Sequence, residues 1–195
     1  MSARCRQHGA TLIELIVFIV IVGVALTGML TVLNLTGRTG ADPMIRKQML
    51  AIAEGLMEEV AAQPFTWCDP DDPTAATANN VTVFCTLPVE AIGPEAGETR
   101  LLNPPFDNVN DYNGCGPGVA ACDLVSRIPS ITGTPWAPAG YTAAIRVALP
   151  LSALGPAANL VPAAASLLIT VTVSFNTENL TIEGYRTRYA PNLLP

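Results

Sequence analysis

The chain has 195 residues, half of them hydrophobic, a net charge of −6 and Lys47 as its only lysine. That length suits one globular domain plus an anchor, with a modest core left once the apolar N-terminal run is set aside. An acidic, lysine-poor chain argues against a phosphate-binding surface, so no nucleic-acid partner is expected.

From Leu15 to Gly37 no residue is charged, and nearly all are Leu, Ile, Val, Phe, Ala, Gly, Met or Thr. A helix needs about 20 predominantly apolar residues to cross a bilayer, and this run supplies them. Arg4 and Arg6 precede it without an acidic neighbour, and basic residues there hold the N-terminus on the cytoplasmic side. Glu14 interrupts the apolar surface just inside the helix start. A charge within the membrane costs roughly 2.5–3.5 kcal/mol on insertion scales, so this carboxylate calls for a function. A cleaved secretory signal has a shorter apolar region and a small-residue site after it. A plain anchor accounts for the run but for neither Gly9 nor Glu14.

The string Gly9-Ala10-Thr11-Leu12-Ile13-Glu14-Leu15 resembles the type IV prepilin signature, a short basic leader ending in Gly, then Thr-Leu-Ile-Glu and an apolar helix. The resemblance implies that prepilin peptidase cuts between Gly9 and Ala10 and N-methylates Ala10, leaving Glu14 as the fifth mature residue. It also implies as partners other pilin subunits, the assembly platform of the inner membrane, and membrane lipid before assembly. In a filament the positive terminus of one subunit can meet Glu14 of a neighbour. Opposite charges in a low dielectric attract far more than in water, and pairing offsets the cost of burying the carboxylate alone. Many members start the mature chain with Phe. Ala10 departs from that, which bears on the efficiency of processing rather than on the class.

Removing the leader would discard Cys5, Arg4 and Arg6, deepening the negative charge by two and leaving Cys68, Cys85, Cys115 and Cys122. An even set on the exported side of a membrane reads as disulfides. Free thiols and a metal site are the rival readings. The spacings match no zinc pattern, and the one histidine, His8, lies in the leader. Four cysteines allow three connectivities. Cys68–Cys85 with Cys115–Cys122 closes two short loops without crossing and is the expected pairing.

The apolar helix should run to about Leu35. Thr36-Gly37-Arg38-Thr39-Gly40-Ala41 then breaks the pattern, and Asp42-Pro43 reads as a fresh N-cap followed by Pro at the first helical position. Ile45, Met49, Ile52, Leu56 and Val60 recur at helical spacing, so residues 44–62 form an amphipathic helix that ends at Gln63-Pro64. The expectation is one long helix, bent or interrupted near residues 37–42.

Residues 64–140 are rich in Pro, Gly, Asn and Asp. Val81 to Leu87 alternates and reads as a strand. Asp69, Asp71 and Asp72 are separated by prolines and read as a solvated loop rather than a paired acid–base site. In Phe106-Asp107-Asn108-Val109-Asn110-Asp111-Tyr112-Asn113-Gly114 the oxygen-rich side chains invite a calcium reading. Val109 stands where an EF-hand needs its first ligand, however, and no bidentate Glu follows. An Asx-rich turn whose side chains cap their own backbone is the better account.

The C-terminal third alternates with period two. Tyr141, Ala143, Ile145, Val147 and Leu149 form one strand face; Leu167, Ile169, Val171, Val173 and Phe175 form another. A third run, Leu180 to Tyr189, changes parity at Gly184, where a β-bulge is expected. Asn176-Thr177-Glu178-Asn179 reads as the hairpin loop joining the last two strands.

A long helix followed by an antiparallel sheet is α+β and implies the type IV pilin fold. The expected organisation is a leader at 1–9, a transmembrane and filament-core helix at 10–36, its amphipathic second half at 37–63, and an exported globular domain at 64–195. Asp42-Pro43-Met44-Ile45-Arg46, the Phe106–Gly114 segment and Gly184-Tyr185-Arg186-Thr187-Arg188-Tyr189 together resemble the MshD-type minor pilins of mannose-sensitive haemagglutinin (MSHA) pili. That resemblance implies a low-abundance pilus subunit in assembly and surface attachment, held in the inner membrane and then displayed on the pilus. A type II secretion pseudopilin and a tip adhesin are the alternatives. No catalytic constellation, phosphate loop or metal-ligand spacing is found, so neither enzyme activity nor a cofactor is expected.

Overall fold

A computed structural model describes residues 11–78, 85–86, 90–101, 104–125 and 127–189, with the side chains of 34–42 excepted. Helix α1 spans Leu12–Ala62. Among the described residues the strands are β1, Tyr141–Ala148; β2, Ser166–Phe175; and β3, Glu178–Thr187. The chain divides into two compact units, Met1–Ile45 and Arg46–Pro195, so the last turns of α1 belong with the globular unit.

In the first unit, Leu12–Leu33 is 22 residues long with a mean hydropathy of 2.8, long and apolar enough to cross a membrane. Its polar hydroxyls are satisfied within the helix. Thr27 Oγ1 donates to the Gly23 carbonyl at 2.9 Å and Thr31 Oγ1 to the Thr27 carbonyl at 2.8 Å. Lipid offers no water to do this, so internal bonding is a condition of spanning.

The expected interruption near 37–42 is not there. The helix continues through Pro43, and Asp42 does not start a second one. A glycine in a helix costs about 1 kcal/mol and a proline about 3. Breaking the helix would expose four unpaired backbone groups at each new end, a comparable cost.

The globular unit is built on a three-stranded antiparallel sheet in the order β1-β2-β3. Tyr141 pairs with Phe175 at one end of β1 and Ala148 with Leu168 at the other. Tyr141, Ala143, Ile145, Val147, Leu167, Ile169, Val171 and Val173 are all buried; of the other residues that the alternation marks, Phe175 is half-buried, and Leu149 lies just past the end of β1 and is exposed. Met49, Ile52, Ala53, Leu56 and Val60 of α1 are buried as well. The Tyr141 hydroxyl donates to Gln48 Oε1, and Tyr141 stacks on Phe175 with ring centroids 4.5 Å apart.

β3 carries no bulge. Pairing with β2 runs from Ser166↔Thr187 to Phe175↔Glu178 without a slip. The apparent change of parity arises because Tyr185 and Tyr189 lie on the outside, 57% and 72% exposed, while Leu180, Ile182 and Gly184 share the inner side. A Cβ on Gly184 would lie 3.0 Å from Met57 Sδ, so the glycine is where the helix approaches the sheet. The hairpin is also tighter than expected. Only Asn176 and Thr177 turn, with Asn176 at φ +53°, a left-handed conformation that Asn tolerates. Glu178 and Asn179 already pair with Phe175 and Ser174.

The far edge of β1 is covered by the 115–125 loop. The Ile145 amide donates to the Cys115 carbonyl at 2.7 Å and the Ala143 amide to the Leu124 carbonyl at 3.0 Å. The strand read at Val81–Leu87 lies outside the described residues except for Cys85 and Thr86, which are not in a strand.

Candidate functional site

The Phe106–Gly114 segment folds as a capped turn. Residues Val109–Tyr112 form one 3-10 turn with Asn108 as N-cap. Asp111 Oδ2 accepts the Asn108 amide at 2.8 Å and the Asp107 amide at 3.1 Å, and the Asn108 side chain accepts the Asn110 amide in return. Such reciprocal bonds satisfy donors that have no partner in the turn itself. The remaining residues fasten the turn to its surroundings. Asn108 Nδ2 donates to Thr66 Oγ1 at 2.7 Å, and Asn113 Oδ1 accepts the Val147 amide at 3.0 Å. Phe106 packs edge-on against Tyr112 at 5.1 Å. Gly114 sits at φ +84°, a region open to glycine at little cost.

One ion pair ties this turn to the helix. Arg100 meets Glu59 through two bonds of 2.6 and 2.7 Å, and the Tyr112 hydroxyl donates to the same carboxylate at 3.1 Å. The Arg100 side chain is fully buried. Burial pushes the Tyr112 hydroxyl pKa upward, with the Glu59 charge the next cause. Glu59 and Arg100 carry no signal in the sequence, because nothing local shows that loop residue 100 folds back onto the helix.

Disulfides join Cys68 to Cys85 and Cys115 to Cys122, each with Cα atoms 5.4 Å apart. Beside the first, Asp72 is buried rather than solvated. Its carboxylate accepts the Thr74 amide at 2.7 Å and the Thr86 amide at 2.6 Å, pinning the proline-bounded loop to the segment that holds Cys85.

At the other end of the chain, Thr11 precedes α1 and its Oγ1 accepts the Glu14 amide at 3.4 Å. The exposed Glu14 carboxylate therefore lies in the first turn of the helix, where the partial positive charge of the helix N-terminus favours an anion. Gly9 and Ala10, the residues flanking the implied cut, lie outside the described residues. Residues 4–30 match the family model of the prokaryotic N-terminal methylation motif. This motif is the prepilin-type signature of type IV pilins and pseudopilins, and it implies processing by prepilin peptidase and assembly with other subunits. The apolar helix behind it fits the single-pass anchor of prepilins, and the α+β architecture is consistent with the type IV pilin fold. No curated protein and no solved structure matches the chain.

Acidic side chains gather around the capped turn. A carboxylate oxygen from each of Glu90, Glu95 and Asp111 lies within 4.8 Å of the other two, and Asp69, Asp71 and Asp107 form a second, more open group of the same kind. Burial first, and then the Asp111 and Glu95 charges, raise the Glu90 pKa to about 9. Glu98 is raised to about 8 by burial and by Asp111. Asp111 rises to about 7 through burial, against the opposing pull of the backbone amide of Asn108. Asp107 rises to about 6 through burial and the Asp69 and Asp71 charges. Arg188 is a cation that interacts with the Glu90 charge. It lies over the Phe65 and Trp67 rings at 3.7 and 4.0 Å and donates to the Ala164 carbonyl at 3.0 Å, and desolvation lowers its pKa to about 10.

Proposed function

We propose that this chain is a low-abundance type IV pilus subunit of the MshD type. It is inserted in the inner membrane with its N-terminus in the cytoplasm and its globular unit exported, and then drawn into a pilus for assembly and surface attachment. The observation that carries this reading is the methylation motif at residues 4–30, with Glu14 held at the start of an unbroken apolar helix. The two disulfides support export, since they persist in oxidising compartments. The role is structural rather than catalytic, carried by helix–helix packing and by the surface of the globular unit.

Pseudopilins of type II secretion systems share the same N-terminal motif, and the matched segment alone favours neither system. Genes for a retraction motor beside this one point to a pilus; secretin-linked secretion genes point to a pseudopilus. The direct test is intact-mass analysis of membrane fractions after coexpression with prepilin peptidase. The mature chain should begin at N-methylated Ala10, and a start at any other residue refutes the prepilin reading.

A further inference from the structure

We propose that Glu90, Glu95 and Asp111 form a divalent-cation site in the globular unit, fitted to calcium, and that the ion clamps the loop around residues 90–95 onto the Asn108–Asn113 turn. Carboxylates gathered together are not a site in themselves. Here their unused oxygens point to one. Asp111 is fully buried, and its Oδ2 is already held by two backbone amides. Among the described residues its Oδ1 is buried without any donor, and so are both carboxylate oxygens of Glu90. In the same turn Asn110 Oδ1 is a buried acceptor that no donor among the described residues meets. Buried acceptors are almost always paired, and buried charges are paired or bind metal.

The donor chemistry selects the ion. All the candidate ligands are oxygens, which suit hard cations rather than zinc or copper. Calcium sits about 2.3–2.6 Å from its ligands, so two oxygens on one ion lie at most roughly 5 Å apart, and the three carboxylates fall inside that span at 4.8 Å. The turn holds Asp111 Oδ1 in place through its partner oxygen. The loop is tied to the same turn by the Gly93 amide, which donates to the Asn110 carbonyl at 3.0 Å. Glu98 Oε2 accepts the Glu95 amide at 3.2 Å and shapes the loop on its other side. Glu90 and Glu95 stand in a separate Pro- and Gly-rich loop, so nothing in the sequence joins them to Asp111.

The inference does not depend on the pilin reading, because the ligands belong to the globular unit whatever filament it enters. The test is calorimetric titration of calcium chloride into EDTA-stripped full-length protein in detergent micelles. One calcium ion should bind per chain, with a dissociation constant on the order of 10 µM, and about 1 mM calcium should raise Tm by about 5–10 °C. Glu90→Gln should weaken binding at least about tenfold and abolish the Tm shift. Asp71→Asn, in the outer acidic group, should stay within about threefold of the unmodified chain. Glu90→Gln keeps side-chain volume and removes only charge, and its urea midpoint without calcium verifies that it folds. Absence of both binding heat and Tm shift overturns the proposal. So does calcium binding that survives Glu90→Gln but is lost in Asp71→Asn.

Discussion

In the absence of metal, the globular unit should become less stable as pH rises from 5 to 8, the reverse of the usual carboxylate behaviour. Glu90 has an ordinary pKa of 4.5 and is raised to about 9 in the folded chain. Between those values the folded state holds a proton that the unfolded state has released. Stability then falls with pH, by about 1.4 kcal/mol per pH unit for each extra proton. One proton retained from pH 5 to pH 8 corresponds to at most about 4 kcal/mol, and about half of that once solvent screening at a partly open site is allowed for. Glu98 and Asp111, raised to about 8 and about 7, act in the same direction but share the same field, so their contributions do not simply add.

The measurement is urea unfolding of EDTA-treated full-length protein in micelles, followed by tryptophan fluorescence at several pH values. With an m-value of about 2 kcal/mol/M, the midpoint should drop by about 1–2 M across the window. Glu90→Gln should flatten most of that slope, because the amide has no proton to lose. A midpoint that is constant or rises from pH 5 to pH 8 without metal refutes the reasoning, since it would mean that the buried acids ionise at ordinary values.

Two further outcomes are expected. Glu14→Ala should leave the chain processed and inserted but depleted from sheared pili relative to wild type at matched expression, because removing one member of a buried pair costs about 3–5 kcal/mol; equal recovery in the pilus fraction would show that Glu14 is not an assembly contact. Arg100→Met should destabilise the globular unit by about 3–5 kcal/mol by leaving the Glu59 carboxylate unpaired, and adding Glu59→Gln should recover much of the loss; a coupling below about 0.5 kcal/mol in the double-mutant cycle would place the two residues outside each other's reach.

What the sequence shows and what it conceals follow from how far apart the interacting residues lie. The faces of β1 and β2 are legible because burial alternates with the pleat, so Ala143, Ile145, Val171 and Val173 announce themselves by position alone. The capped turn is legible because its bonds close between Asp107 and Asp111. Gly184 is different. Its meaning depends on Met57, more than a hundred residues earlier, and without that contact a missing side chain in a strand reads as a bulge. Glu59–Arg100 and the Glu90, Glu95 and Asp111 group are concealed for the same reason, and by composition too, since an acid among Pro and Gly residues is usually solvated. Asp72 makes the point within one loop. Flanking prolines mark it as irregular, but irregular chain still has amides to satisfy, and here a buried carboxylate accepts those of Thr74 and Thr86. Asp111 goes one step further. Once one oxygen is committed to the backbone, the other is oriented and desolvated by the same bonds, so a residue that reads locally as a turn former becomes one of three ligands beside Glu90 and Glu95.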